Sequence, residues 1–346
     1  MLKEKKDIRK LDLAALKEVC LEANEKAFRA KQIYEWLWKK AAHSFEEMTN
    51  LSKDFRTYLE THYVINAVTI DLEQKSQDGT VKLRFKLHDD HMIEGVLIPA
   101  DERMTACISS QVGCSLTCKF CATGQMKRIR NIDDSEIFDQ VVLINRLSLE
   151  HYNQPLSNIV YMGMGEPLLN YAQVLKSVER LTAPEGLDMS PKRITLSTAG
   201  IAKMIRKLGD DDYKGNLALS LHAANDQKRS DIMPINDQNN LAALSEALQY
   251  FYKKTRTRVT FEYIIFKDRN DELEDARELA RFCRKVPCKV NIIEYNPIAG
   301  ADFLNTSEKK LVAFQQYLMS EGVTVTVRRS RGKDIDAACG QLANKE

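Results

Sequence analysis

Hydrophobic positions change their period twice along the chain. In residues 1–63 they recur at three- and four-residue intervals: Leu13, Leu16, Val19 and Cys20 form one stripe, and Ile33, Trp36 and Leu37, continued by Lys40-Ala41, form another. That spacing lines one face of a helix. Ser44-Phe45-Glu46-Glu47 has the form of a capping box, and Ser52 is placed to cap a further helix running to about Tyr63. Residues 1–63 therefore read as a helical accessory domain, and they hold both tryptophans, Trp36 and Trp38. From 64 to 99 the period falls to two. Val68, Ile70 and Leu72 alternate with polar residues, Asp78-Gly79 marks a tight turn, Val81, Leu83, Phe85 and Leu87 alternate again, and a third strand is expected at Met92–Ile98. This is a small β-hairpin extension.

Residues 100–330 alternate strand and helix. Strands are expected at Thr105–Ser109, Asn158–Met162, Arg193–Ser197, Asn216–His222, Arg258–Phe266 and Lys289–Tyr295, with helices near 134–149, 170–183, 200–208, 239–254, 272–285 and 307–320. A last strand at Val323–Val327 leads into a polar tail, 331–346, that carries Cys339. Six β/α units predict an α/β fold, a partial (β/α)6 barrel with its helices outside. On such a sheet reactive groups gather at the C-terminal ends of the strands. A cysteine-rich loop follows the first strand and Gly163-Met164-Gly165-Glu166-Pro167 the second. Thr198 to Gly200 follow the third, Ser220-Leu221-His222 end the fourth, and Asn296-Pro297 follow the sixth. All of them fall on one rim.

The cysteine loop holds Cys114, Cys118 and Cys121 at C-x₃-C-x₂-C spacing. Cubane iron–sulfur clusters usually take four thiolates, so three leave one iron open to a small molecule. Zinc is the competing reading, and a closed structural zinc site needs four ligands. No second cysteine pair lies nearby, since Cys283 and Cys288 sit on another unit. The chain has 346 residues, 44% hydrophobic and 29% charged, with no apolar run of about 18 residues that would span a membrane. Its charged start is not followed by an apolar signal segment, so the expectation is a cytoplasmic protein. There the eight cysteines suit metal or thiol chemistry better than a disulfide framework. Net charge is only +2, but two basic stretches, Lys119 to Arg130 and Arg328 to Lys333, suit a phosphate backbone.

With its three-cysteine loop after the first β/α strand, the chain resembles the radical S-adenosylmethionine (SAM) superfamily. More narrowly, it resembles the RlmN/Cfr family of RNA adenine methyltransferases, through Arg29–Leu37, Ser110–Cys114, Phe120–Gly124, Gly163–Pro167 and Arg331–Gln341. The resemblance implies a 4Fe–4S cluster on Cys114, Cys118 and Cys121, whose open iron binds SAM and splits it to a 5′-deoxyadenosyl radical. It assigns SAM contact to Gly165, Glu166, Ser197, Ser220, Leu221, His222 and Asn296. In Gly163–Glu166 the glycines let the backbone approach and Glu166 offers a carboxylate to an ammonium. The resemblance further implies that Cys339 is methylated by a first SAM and that a radical from a second activates this methyl to add to an adenine carbon. Cys107 then closes a disulfide with Cys339 to release the RNA, and Glu94 accepts the ring proton. Without the resemblance, His222 reads as a core histidine, Cys107 as a packed small hydrophobe and Glu94 as a surface charge.

The implied substrates are an adenosine of the 23S rRNA peptidyl-transferase centre and an anticodon-adjacent adenosine of tRNA, modified at C2. The implied electron donor is a flavodoxin or ferredoxin, and a monomer with no membrane partner is expected. A Cfr-like C8 methyltransferase shares all these motifs. A non-catalytic, zinc-containing RNA-binding protein is the alternative from a different class.

Overall fold

The computed structural model describes residues 5–344. Its frame is one sheet of ten strands: β1 (Thr69–Lys75), β2 (Val81–Lys86), β3 (Met92–Ala100), β4 (Arg103–Cys107), β5 (Asn158–Tyr161), β6 (Ile194–Thr198), β7 (Asn216–Ser220), β8 (Val259–Ile265), β9 (Cys288–Glu294) and β10 (Val325–Arg328). The strands lie side by side in strict chain order. From β4 to β10 every pairing is parallel, and each crossover carries a helix of the expected unit: Asp134–Tyr152, Tyr171–Thr182, Ala202–Asp210, Leu241–Thr255, Leu273–Cys283 and Glu308–Ser320. Parallel strands need such long crossovers, and one constant hand of crossover wraps the helices onto one face. The first and last strands of the sheet do not pair. The fold is thus the open barrel expected of six β/α units.

The period-two segment does not stand apart from this barrel. β1, β2 and β3 form an antiparallel meander, and β3 pairs with β4 from Val96–Cys107 to Ala100–Arg103. Alternation in a sequence shows that one face is buried but not which strand lies alongside. Strand β4 also ends two residues earlier than expected. Beyond it the amide of Ser109 donates to the Gln140 side chain at 2.9 Å instead of to a strand.

The helical segment supplies α1 (Leu13–Glu22), α2 (Arg29–Trp38) and α3 (Lys53–His62). Ser52 caps α3, its hydroxyl accepting from the Phe55 amide at 3.2 Å. The Ser44–Glu47 box forms without a helix behind it: the Glu47 carboxylate accepts the amides of His43 and Ser44 at 2.9 Å, and the chain simply turns. These helices are joined to the barrel by Trp38, whose ring meets Phe138 edge-on at 5.3 Å beneath the Arg180 guanidinium at 4.3 Å. Arg9 adds a buried link, with Nη1 donating to both Asp139 oxygens at 2.9 and 2.8 Å while Asp139 also accepts from the Val68 amide at 3.0 Å. Among the described residues no helix is long and apolar enough to cross a membrane. Removing the cation while leaving the buried carboxylate is costly. Arg9→Ala is expected to lower stability by about 3–5 kcal/mol, seen as a fall in the urea midpoint followed by circular dichroism.

Candidate active site

The C-terminal ends of the parallel strands open on one rim, and the polar clusters meet there. The cysteine loop is closed at its base by Gln111–Val112, which pair antiparallel with Arg130–Asn131. Inside it the Cys121 amide donates to the Cys118 carbonyl at 3.2 Å, and the Gly124 amide to that of Cys121 at 3.0 Å. A side chain at Gly124 would collide with the Cys118 backbone, its Cβ falling 2.8 Å from the carbonyl oxygen. All three cysteines line a cavity of about 160 Å³. Burial pushes each thiol up, Cys114 to about 11, and at Cys118 the two neighbouring thiolates add to the rise. Three thiolates so placed need a cation to hold them. Among the described residues, the donor sets that converge within 4.8 Å do not include this trio. Three thiolates fall one short of a closed structural zinc site, whereas a cubane cluster held by three keeps one iron open.

Opposite the loop lies Gly163–Glu166. A Cβ at Gly163 would stand 2.7 Å from the Ile108 carbonyl and the Ser109 hydroxyl; at Gly165, where φ is +93°, it would stand 2.4 Å from the Gln111 side chain. Glu166 is buried and lines the cavity. Burial pushes its carboxyl up, and the amides of Ala199 and Leu168 counter this, donating at 2.7 and 2.9 Å. One amide on each oxygen leaves lone pairs for an ammonium.

Ser197, Ser220 and His222 line the same cavity. His222 is buried, with φ +56°, and its Nδ1 accepts the Ile264 amide at 3.0 Å, which puts its proton on Nε2. Burial, then the nearby Arg229 charge, push it down to about 3, so it is neutral at working pH. Phe120 meets its ring edge-on at 4.8 Å. Leu221 is fully buried and does not line the cavity; its amide donates to the Glu262 carbonyl at 3.0 Å. Asn296 lies behind the wall, its Nδ2 donating to the Cys339 carbonyl at 3.2 Å.

A second cavity, of about 300 Å³, adjoins the first, and Cys121, Met162, Gly163, Arg328 and Cys339 line both. Cys107 lines only this second one. Burial pushes the Cys107 thiol up to about 12, with Cys339, on the wall of the same cavity, the next contributor. Cys339 is exposed as a residue because both chambers open onto it, while the protein packed around its thiol displaces water and pushes it up. The structure therefore gathers the three cluster cysteines, Glu166, both serines, His222, Cys107 and Cys339 around two joined chambers. Glu94 lines neither. It is not the surface charge its local pattern suggests: only 1% exposed, it faces Lys82 and the C-terminal tail.

Two functional residues escaped the sequence reading. Glu262 lines the cysteine-side cavity from the middle of β8, and its buried Oε2 has no hydrogen-bond partner among the described residues. A glutamate inside Val-Thr-Phe-Glu-Tyr-Ile-Ile, an otherwise buried parallel strand, was a signal to read. Arg229 gave no such signal. Fully buried, it donates to the carbonyls of Ala199, Ser220 and Leu221 at 2.6–3.2 Å and so ties together the loops after β6 and β7. Glu262 Oε2, on the cavity wall, is unpaired, and a molecule with ammonium, hydroxyl or amino groups offers it a donor; Asn296 Oδ1, behind the wall, is unpaired as well.

Residues 6–65 match the family model for the ribosomal RNA large subunit methyltransferase N-terminal domain, and residues 108–282 that of the radical SAM superfamily. Over 343 residues the chain is 63% identical to a probable dual-specificity RNA methyltransferase RlmN of Cytophaga hutchinsonii, covering 99% of this chain and 94% of that one. The chain belongs to the RlmN family of radical SAM RNA methyltransferases. A dual-specificity RNA methyltransferase RlmN of Nautilia profundicola is 40% identical over 92% of this chain and 93% of its own. The crystal structure of a radical SAM methyltransferase from Sphaerobacter thermophilus superposes with a TM-score of 0.92 at 39% identity, over 98% of this chain and all of that one. Membership of the RlmN family implies the 4Fe–4S cluster and SAM, and the donor set and orphaned oxygens fit both.

Gly163→Ala forces apart two strand ends and is expected to weaken SAM binding about tenfold, measured by equilibrium dialysis on the reconstituted enzyme. His222 predicts a pH effect. The unfolded chain takes up its proton near pH 6.5 while the fold refuses it down to about 3. His222 thus adds stability in full above pH 6.5 and loses it at about 1.4 kcal/mol per unit as pH falls. His222→Gln is expected to give a shallower fall of the urea midpoint between about pH 6.5 and 4.5.

Proposed function

We propose that this chain methylates C2 of an adenosine in 23S rRNA, and of an anticodon-adjacent adenosine in tRNA, by way of a methyl group carried on Cys339. The observation that supports this reading is the position of Cys339, which lines both the chamber of the three cluster cysteines and the chamber of Cys107. Two RNA substrates accord with the dual-specificity RNA methyltransferase names of the relatives. When bound, the cluster and two SAM molecules per turnover supply the methyl group and the one-electron chemistry.

The chain's own residues do the rest. Glu166 holds the ammonium of SAM, Ser197 and Ser220 offer hydroxyls to its polar groups, and Asn296 Oδ1 accepts from it. His222 stays neutral and donates from Nε2. The Cys339 sulfur takes the methyl and presents its carbon to the ring. A carbon-centred route is needed because C2 of adenine lies between two ring nitrogens and has no usable lone pair with which to displace methyl from a sulfonium. Cys107 then attacks the Cys339 sulfur, and the disulfide that forms frees the product. Arg328 lines both chambers and offsets part of the rise that burial imposes on both thiols. Glu94 takes the ring proton once the tail amides have left its carboxylate.

The second chamber is lined by Arg103, Arg328, Arg329 and Arg331. These guanidinia suit the phosphates on either side of an adenosine turned out of its stack. A flavodoxin or ferredoxin as electron donor and a monomeric enzyme complete the proposal.

Cys107→Ala is expected to accumulate a covalent protein–RNA conjugate through Cys339, visible as a shifted band that ribonuclease shortens; free methylated RNA at the normal rate would remove Cys107 from its role. Cys118→Ala is expected to lose most of the about four irons per chain of the anaerobically reconstituted enzyme. Nucleoside mass spectrometry decides the regiochemistry, since 8-methyladenosine would replace the present reading with the Cfr-like one.

A further inference from the structure

The segment that carries Cys339 is fastened at three places. The first is the hairpin turn between β1 and β2. There Asp78 accepts the Gly332 amide at 2.9 Å, and Asp334 accepts the Ser76 hydroxyl and the Gln77 amide at 2.5 and 3.2 Å. The second is the rim itself. The Ala122 amide donates to the Gly340 carbonyl at 2.7 Å, the Thr123 hydroxyl to that of Leu342 at 2.6 Å, and the Gln341 side chain to that of Pro297 at 3.1 Å. The third is Glu94, whose Oε2 accepts the amides of Ala343 at 2.8 Å and Asn344 at 3.1 Å, while the Asn344 side chain donates to the Met92 carbonyl at 2.7 Å.

The third fastening differs from the others in its electrostatics. Glu94 lies on β3 with its carboxylate fully enclosed, and it forms an ion pair with the buried Lys82, whose Nζ is 3.5 Å from Oε1. A buried pair at that distance does not by itself repay its dehydration. The two tail amides satisfy the other oxygen, so a tail that lifts leaves a buried carboxylate short of donors. The tail and the charge therefore hold each other. Two amides on one carboxylate oxygen also make a strong, directional contact, and it lies only four residues beyond Cys339.

We propose that Glu94, backed by Lys82, is a clasp for the C-terminal tail: a positioning residue that keeps the Cys339 sulfur seated between the two chambers. The clasp adds a task for Glu94 that precedes any proton transfer, and its link to Cys339 rests on the function proposed above. While it is closed, Oε2 is occupied; opening it is what would free the carboxylate.

The test is hydrogen exchange of the full-length, cluster-loaded enzyme, read by mass spectrometry on its C-terminal peptides, together with the rate at which SAM methylates Cys339, read by peptide mass. Glu94→Ala is expected to speed exchange across residues 340–344 about tenfold and to slow methylation of Cys339. Ala343→Pro leaves the carboxylate in place but deletes one donor, and is expected to change both readouts in the same direction. Glu94→Gln keeps an accepting oxygen without a basic one, and is expected to bring both back to within a few-fold of the unaltered enzyme. That rescue is one a general base would not show. Should Glu94→Ala fail to fold, the double variant Lys82→Met, Glu94→Leu keeps the site filled and gives the same exchange readout. Tail exchange that stays unchanged in the alanine or double variant and in Ala343→Pro overturns the clasp. If the unaltered enzyme never methylates Cys339, the proposed function fails instead, and the exchange measurement still decides the clasp.

Discussion

The pairing of β3 with β4 is the joint on which the working end of the molecule depends. Through it an antiparallel meander and a parallel barrel become one sheet, and Cys107 lies directly across from Val96. That register places Glu94 two residues before Val96 on β3, and sends the chain beyond β4 into the cysteine loop. A slip of one residue would turn every side chain of β3 to the other face. Glu94 would leave Lys82, and Cys107 would lose its wall. The contacts that prevent such a slip are themselves part of the site: Ser109 donates to the Glu94 carbonyl, the Glu94 amide meets the Met164 sulfur at 3.3 Å, and the Met164 amide donates back to Ser109 at 2.8 Å. Strand end, glycine loop and meander thus close one circuit.

What was readable from the chain divides by range. The cysteine loop was legible because three ligands within eight residues declare themselves without reference to the rest of the fold. The alternation of strand and helix was legible because each amphipathic period is local, and the rim followed from it, since parallel strands with helical crossovers must all end on the same side. The neighbours of β3 were not legible, because pairing is decided between segments. Nor was the burial of Glu94. Met92-Ile93-Glu94-Gly95 resembles an edge strand with one charge, and nothing in it foretells Lys82 from the adjacent strand or two amides from the far end of the chain. Arg229 was hidden for the same reason, since most of its partners are backbone carbonyls, which no side-chain pattern reveals.

The site also shows how one fold serves ligands of opposite demand. The cluster chamber sets three thiols and the Glu166 carboxyl against apolar walls, where burial disfavours their charged forms. Next to it, the second chamber is lined by four arginines, of which Arg329 is already paired with Glu294 and Glu308. Arg328 stands where the two meet, 3.9 Å from the orphaned oxygen of Glu262. The wall the two chambers share also includes Cys121, Met162, Gly163 and Cys339.

Trp38 and Arg9 bear on how the whole molecule meets its substrate. An indole wedged between a benzene ring and a guanidinium, beside a dry ion pair, is a weld and not a hinge. Helices fixed in this way keep a constant distance from the catalytic mouth. Helices and barrel thus form one piece, and a shift of either carries the other with it.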